Sequence, residues 1–303
     1  MHDVIIIGSG PAGLTSAIYT SRARLKTLVI AGTMWGGQLM LTSEVENYPG
    51  FKEGVLGPKL MEDMRKQAER FGAYMVFDDA TAVDLSSKPF KVKVGNRVFQ
   101  GKAIIIATGA SAKWLGLENE ERLRGRGVSV CATCDAAFFK DKKAVVVGGG
   151  DTAMEEALAL TKFVRKVKII HRRNQLRASK ILQEAVLKDP KIEVIWDSIV
   201  QDIIGKDKVE GVKLRNVKSN KDTELSCDAV FVAIGFKPNT EIFKDQVKLD
   251  EKGYILVNDE TKTNVEGVFA AGDVRDNKYR QAATAVGDGC KAAIDIQRYL
   301  EQV

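Results

Sequence analysis

The sequence predicts an α/β fold of two similar three-layer units, and three observations carry that prediction. An apolar run, a glycine-rich turn and a helical stretch follow one another at 3–32 and again at 143–173. Each copy has a later partner run, "AIIIATGA" at 103–110 and "AVFVAIGF" at 229–236. All the apolar runs are of strand length, far short of the roughly 20 residues needed to cross a bilayer.

In the first copy, "DVIIIGSGPAGLTSAIYTSRARLKTLVIAG", the turn holds Gly8, Gly10 and Gly13. In the second, "KAVVVGGGDTAMEEALALTKFVRKVKIIHRR", it holds Gly148, Gly150 and Ala153. The first small residue permits the tight turn, the second leaves room for a pyrophosphate against the backbone, and the third lets helix pack on strand. The helix that follows offers unpaired N–H groups and the positive end of its dipole to phosphate. One such turn is weak evidence. Two, each between strand and helix, predict a pair of Rossmann-like dinucleotide-binding domains rather than two accidents of packing.

The second strand of each copy bears on which dinucleotide binds. An acid about 20 residues beyond the glycines would hold the ribose hydroxyls of NAD. The second copy has instead "HRRNQLRAS", with His171, Arg172, Arg173 and, one helical turn further on, Arg177. Guanidinium groups grip phosphate by paired, charge-assisted bonds, so the cluster predicts a 2′-phosphate pocket and NADPH. The plainer alternative is a solvated basic strand end, and His171 alone would read as a packing or capping residue. The first copy ends in Ala31 and Gly32, again without an acid, and "GTMWGGQL" follows. Near the C-terminus, "GVFAAGDVRDNKYRQAATAVGDG" runs from a strand into Gly272 and Asp273, and a small-residue helix begins near Arg280. An acid at a strand end beside a helix N-terminus suits a ribityl chain and a flavin ring, which makes FAD the reading for this unit.

Bulk composition excludes other classes. Hydrophobic residues are 45% and charged residues 28%, an ordinary globular balance. The net charge of +6 comes from scattered lysines and arginines, so nucleic-acid binding is not indicated. Cys227 and Cys290 stand alone and are expected to be buried thiols. The only histidines are His2 and His171, which argues against a histidine-rich metal site or a Ser-His-Asp triad. The chain enters a strand almost at once, with no room for a secretory leader, and is expected to be cytoplasmic. "CATCDAAF" at 131–138 places two of four cysteines three apart, just before an acid. That spacing can close a small disulfide, hold half a metal site or arise by accident.

Taken together, "GSGPAG", "GGQL", "EVENYPGF", "IIATGA", "CATCDAAF", "GGGDTAMEEA", "HRRNQLRA", "VAIGFKPNT" and "FAAGDV…YRQA" resemble the low-molecular-weight thioredoxin reductases of bacteria and archaea, in order and along the whole chain. The resemblance implies a homodimeric flavoenzyme that passes electrons from NADPH through FAD to its own disulfide and then to thioredoxin. It implies a discontinuous FAD domain, 1–112 plus 241–303, and an inserted NADPH domain, 113–240, which carries the cysteines and rotates about two strands near "GASAKW" and "GFKPNT". FAD would be held by Gly8, Ser9, Gly10, Pro11, Ala12, Gly13, Gly37, Gln38, Asn47, Asp273, Arg280, Gln281 and Ala282. NADPH would be held by Gly148, Gly150, Asp151, Thr152, Ala153, His171, Arg172, Arg173 and Arg177. Cys134 would face the flavin, Cys131 would attack the partner's disulfide, and Asp135 would exchange protons with the dithiol. In a cytoplasmic βαβ setting a C-x-x-C pair reads as redox, and a zinc site would want a second close pair that this chain lacks, so no metal is expected. Two departures stand out. Met34 and Trp35 occupy a loop where the family often carries charge, and Ala136 and Ala137 replace the usual glycine and aromatic. The alternatives are a reductase of another thioredoxin-like or peroxiredoxin-system protein, a dithiol oxidase, or a flavin sensor without turnover.

Overall fold

The computed structural model describes residues 1–42 and 44–302. Ser43, which opens the "SEVENYPGF" stretch, and Val303, the end of the expected FAD domain, lie outside the described residues. Contacts divide the chain into two units, Met1–Ser111 with Lys237–Val303, and Ala112–Phe236.

The first unit opens with β1 (His2–Ile7), α1 (Pro11–Arg22) and β2 (Thr27–Ile30), followed by the short strands β3 (Glu44–Val45) and β4 (Val55–Leu56). Helix α2 (Gly57–Arg70) leads to β5 (Tyr74–Val76), β6 (Ala80–Asp84), β7 (Phe90–Val94) and β8 (Arg97–Ile106). β1 lies between β2 and β8, parallel to both, with Ile7 opposite Ile30 and Ile106. Val4 to Ile7 are all buried because a parallel strand is covered on both faces. Alternate side chains feed two cores: Ile5 and Ile7 pack with Leu28, Ile30 and Ile106, while Val4 and Ile6 pack with Ala17, Val29 and Ile105.

The chain passes through β9 (Ala110–Ala112) into the second unit. There α3 (Glu118–Arg122), β10 (Val128–Ser129) and α4 (Ala132–Asp135) precede β11 (Lys143–Val147), α5 (Asp151–Thr161) and β12 (Lys166–Ile170). Next come α6 (Lys180–Lys188), β13 (Ile192–Ile195), the antiparallel β14 (Ser198–Ile204), β15 (Gly211–Asn216) and β16 (Asp222–Ser226), and then β17 (Ala229–Val232). The main sheet runs β10-β17-β11-β12-β13, and all its pairings are parallel. The chain returns through β18 (Phe236–Pro238), which pairs with β9, to β19 (Val268–Ala270) and the long α7 (Ala282–Leu300). β19 extends the first unit's sheet, parallel to the last residues of β8, while β7 pairs antiparallel with the first ones. Among the described residues no helix is long and apolar enough to cross a membrane.

The repetition read from the sequence extends to single hydrogen bonds. The Gly8 N–H donates to Ile30 O at 2.9 Å, and the Gly148 N–H donates to Ile170 O at 3.1 Å. The Ala107 N–H donates to Ile7 O, and the Ala233 N–H donates to Val147 O, each at 2.8 Å.

Ahead of β10, the loop at 115–117 turns around one carboxylate. Glu120 is wholly buried and accepts the N–H groups of Leu115 and Gly116 at 2.9 Å and of Leu117 at 3.4 Å. Its removal leaves two or three part-buried donors without their acceptor, each worth about 1 kcal/mol or somewhat more. Glu120→Ala is therefore expected to destabilise the second unit by about 3 kcal/mol in urea unfolding, and Glu120→Gln, which keeps one acceptor oxygen, by about half as much.

Candidate active site

In the first unit the glycine turn is set by close approach. A Cβ on Gly8 would stand 2.2 Å from Ala107 O, and one on Gly13 would stand 2.1 Å from Gly8 O. Gly10, between them, would meet nothing within 4 Å, so the backbone there faces open room at the start of α1. The first-turn N–H groups of a helix have no acceptor within it, so this room suits an anion. The Ser9 hydroxyl is turned inward: it donates to Ala31 O at 2.7 Å and accepts the Gly36 N–H at 2.9 Å. Its contribution to a ligand is left to its backbone. Gly37 lies over the turn, where its Cβ would be 3.4 Å from Gly10 Cα, and Gln38 beside it is exposed. The structure joins Asn47 to Gln281, whose side-chain amides meet at 3.2 Å.

Asp273 sits in the 3₁₀ turn Gly272–Val274 after β19. Burial, reinforced by the nearby Asp276 and Asp288 and opposed by Arg280, pushes its carboxyl up to about 7. Asp288, a residue the sequence reading missed, is 8% exposed, accepts the Gly272 N–H at 3.2 Å and lies 3.3 Å from Arg275. Its only signal was an acid in the small-residue run "VGDG". The helix expected near Arg280 starts at Ala282, because Arg280 has a positive φ of 49°. Trp35 is held in place by the Arg65 guanidinium 5.4 Å over its ring and by the edge of Phe77, whereas Met34 is largely exposed.

The second unit repeats the turn with different supports. A Cβ on Gly148 would lie 2.4 Å from Ala233 O, and Gly150 again meets nothing within 4 Å. Asp151 starts α5, and its carboxylate accepts the Ser179 N–H at 2.7 Å. The Arg177 N–H donates to Gly149 O at 2.7 Å. The stretch after β12 is thus not a helical turn, as the spacing of Arg177 suggested, but a loop bonded back onto the glycine turn. His171 is only 4% exposed. Its ring lies where a Cβ on Gly149 would be, at 2.2 Å, its Nε2 is 2.9 Å from Gln175 O, and Trp196 meets it edge-on. It packs beneath the turn, while Arg172, Arg173 and Arg177 are exposed. Thr152 and Ala153 occupy the first turn of α5, with Ala153 buried.

Cys131 and Cys134 form a disulfide, with Cα atoms 5.3 Å apart. Cys131 caps the one-turn α4, and its carbonyl accepts the N–H groups of Cys134 and Asp135. The Ser129 hydroxyl donates to Asp135 Oδ2 at 2.5 Å and accepts the Cys131 N–H at 3.1 Å. The Ala132 N–H donates to Glu156 on α5. Sequence reasoning found neither Ser129 nor Glu156. Burial pushes the Asp135 carboxyl up, and the bond from Ser129 pulls it partly back. Ala136 has right-handed helical angles that any residue adopts, so alanine replaces the expected glycine without strain, and Phe138 beyond it is 37% exposed. Among the described residues no three His, Cys, Asp or Glu side chains group as metal ligands. Cys227 is buried and its thiol is pushed up to about 12 by burial and by Asp228, so it stays protonated. Cys290 is half-buried rather than buried as expected.

A family profile described as pyridine nucleotide-disulphide oxidoreductase matches residues 2–289. A thioredoxin reductase of Streptomyces coelicolor is 54% identical, covering 99% of this chain and 94% of its own length. One from Rickettsia felis is 53% identical, covering 99% of this chain and 98% of its own. Among solved structures, thioredoxin reductase from Giardia duodenalis superposes with a TM-score of 0.94 at 44% identity, covering 99% of both chains. That from Streptococcus pyogenes gives 0.95 at 42%, covering 100% of this chain and 99% of the other.

Asp273 makes stability depend on pH in a definite direction. Below about pH 4 its carboxyl is neutral whether the chain is folded or unfolded, and it contributes nothing. As pH rises toward 7 the unfolded chain releases the proton before the folded one does, so stability falls, by at most about 4 kcal/mol once both are ionised. Asp273→Asn is expected to raise the thermal midpoint of ligand-free protein at pH 8, the gain shrinking to nothing near pH 4. Melting curves across that range check both the sign and the window.

Proposed function

The chain belongs to the pyridine nucleotide-disulphide oxidoreductase family, and we propose that it is a thioredoxin reductase that carries two electrons from NADPH, through bound FAD, to its Cys131–Cys134 disulfide and on to the disulfide of thioredoxin. The observation that carries this reading is the redox turn itself. A half-buried disulfide lies next to a carboxyl whose burial favours the protonated form, on the same unit as a nucleotide-type glycine turn.

The residues present fit both cofactors. In each unit the middle glycine faces open room at a helix N-terminus, the space that a pyrophosphate requires. In the first unit Gly8, Ser9, Gly10, Pro11, Ala12 and Gly13 would take the FAD pyrophosphate on their backbone. Asp273 would orient the ribityl hydroxyls, and Gly37, Gln38, Asn47, Arg280, Gln281 and Ala282 would line the flavin. Once bound, the flavin supplies a two-electron relay between a nicotinamide and a disulfide. In the second unit Gly148, Gly150, Asp151, Thr152 and Ala153 form the turn for NADPH. Arg172, Arg173 and Arg177 are the anion-binding set for its 2′-phosphate, and His171 supports the turn from below. Asp135 would exchange protons with the dithiol, and Cys131 opens the partner's disulfide by thiolate attack, leaving a mixed disulfide that Cys134 resolves.

The FAD domain is assigned to 1–112 with 241–303 and the NADPH domain to 113–240. The division by contacts, at 111/112 and 236/237, falls within a few residues of these bounds. Rotation of the NADPH domain, a homodimer and a cytoplasmic setting belong to the same proposal. The chain crosses between the units only twice, which is the covalent arrangement that such rotation needs.

Cys131→Ser and Cys134→Ser are each expected to abolish NADPH-dependent thioredoxin reduction while FAD stays bound and is still bleached by NADPH. Loss of FAD from both variants would instead give the pair a structural role. Replacing Arg172 and Arg173 by Ala should weaken NADPH far more than NADH, because only NADPH carries the phosphate. Each lost charge-assisted contact costs roughly 10- to 100-fold in apparent affinity, and neighbouring contacts add incompletely. The ratio of kcat/KM for the two nucleotides should fall toward unity. A wild type without NADPH preference, or a double variant that keeps it, contradicts the pocket.

A further inference from the structure

Ser129 is bonded to both functional ends of the redox turn, and its position is fixed from behind. It ends β10 opposite Phe231 of β17, a side chain with no exposed surface, and is itself 8% exposed. From there its hydroxyl accepts the Cys131 N–H and donates to the Asp135 carboxylate. The turn is closed from the other side by the Cys131 carbonyl, which accepts the N–H groups of Cys134 and Asp135. A third tie runs from the Ala132 N–H to Glu156. None of these bonds passes through sulfur. All of them can therefore persist after the S–S bond opens.

We propose that Ser129 is a positioning residue, a clasp that holds Cys131, Cys134 and Asp135 in one geometry in both the disulfide and the dithiol states. The inference deepens the reading of the Cys131–Cys134 pair as the redox centre and rests on it. A one-turn helix closed by a 3-residue spacing has few contacts of its own, and in the dithiol state nothing covalent keeps its thiols together. Their effective concentration then depends on how firmly the surrounding bonds hold the turn. Without the hydroxyl the Cys131 N–H and the Asp135 carboxylate both lose a partner, and both belong to the turn. Loosening favours the open dithiol, so the disulfide becomes easier to reduce.

The test measures the thiol–disulfide equilibrium of the holoenzyme in glutathione buffers, with the thiols trapped by alkylation and no nucleotide or thioredoxin present. The exchange balances without another reagent: two glutathione thiols become one glutathione disulfide as the Cys131–Cys134 bond is reduced to two thiols. Ser129→Ala is expected to lower the effective concentration of the two thiols about tenfold, which moves the midpoint about 30 mV to less negative potential. Ser129→Thr, which keeps the hydroxyl, should match wild type. Ser129→Val, which has the same shape without it, should shift as alanine does. This isosteric pair decides the question even if the alanine variant folds poorly. A wild-type midpoint in Ser129→Ala, or equal midpoints for Thr and Val, overturns the clasp. Failure of the wild type to reduce any thioredoxin would overturn the preceding reading and leave this measurement intact, because the equilibrium involves neither partner nor NADPH.

Discussion

The molecule depends on one close approach made twice. In each unit the carbonyl that follows a neighbouring strand, Ala107 or Ala233, presses against the first glycine of the turn, 2.2 or 2.4 Å from where a Cβ would be. The φ angles of Gly8 and Gly148, +112° and +157°, lie in the range that side chains resist. That contact lets the chain leave the central strand and enter a helix within three residues. It aims the helix N-terminus along the end of the sheet and leaves the room in front of Gly10 and Gly150. The two helices are then treated differently. α1 is compressed from its far side by α7, where a Cβ on Gly289 would stand 2.2 Å from Ala12 O, and Ser16 donates to Gly289 O at 3.0 Å. The third small position is set by the turn itself: a Cβ on Gly13 would stand 2.1 Å from Gly8 O, whereas Ala153 is accommodated, fully buried, in the second unit.

Helix α5 does two jobs along its length. Its first residue, Asp151, holds the loop that carries the arginines, and Glu156, five residues on, accepts the Ala132 N–H of the redox turn. The arginine-bearing loop and the disulfide segment are therefore both bonded to one helix inside one unit. The carboxyl of Asp135 gains from the same packing. Its burial disfavours the charged form, a cost that an exposed acid at that place would not bear.

Main-chain features were readable in the sequence, and side-chain directions largely were not. Strand–glycine–helix units show in a single sequence because backbone geometry restricts which residues can stand at the turn. The paired cysteines show because their spacing alone suggests chemistry. Ser9 reads as a phosphate-loop residue, yet its hydroxyl braces Ala31 and Gly36, and nothing local announces that. His171 sits in a basic run and reads as part of the pocket, but Gly149, 22 positions earlier, leaves a hollow that its ring fills. Ser129 and Glu156 lack any motif, because their importance comes from a strand pairing and from a helix brought alongside. Asp288 is similar: its role depends on β19 and α7 meeting, which no periodicity predicts.

The loop after β12, which carries the proposed 2′-phosphate arginines, is ordered without a helix. Spacing placed Arg177 one helical turn beyond Arg173. Instead the chain turns back, and the Arg177 N–H bonds to Gly149 O while the Ser179 N–H bonds to Asp151. The carboxylate of Asp151 therefore shapes the loop. Negative charge at the start of a helix would otherwise oppose an anionic ligand at the same N–H groups. Tying that carboxylate to Ser179 turns one of its oxygens to the loop, and the exposed guanidinium groups of Arg172, Arg173 and Arg177 then set the sign of the surface nearby. The arginines and the glycine turn form one hydrogen-bonded piece resting on His171. In the proposed NADPH pocket the spacing between the two phosphates would thus be set by these hydrogen bonds, and the arginine side chains would need only to supply charge.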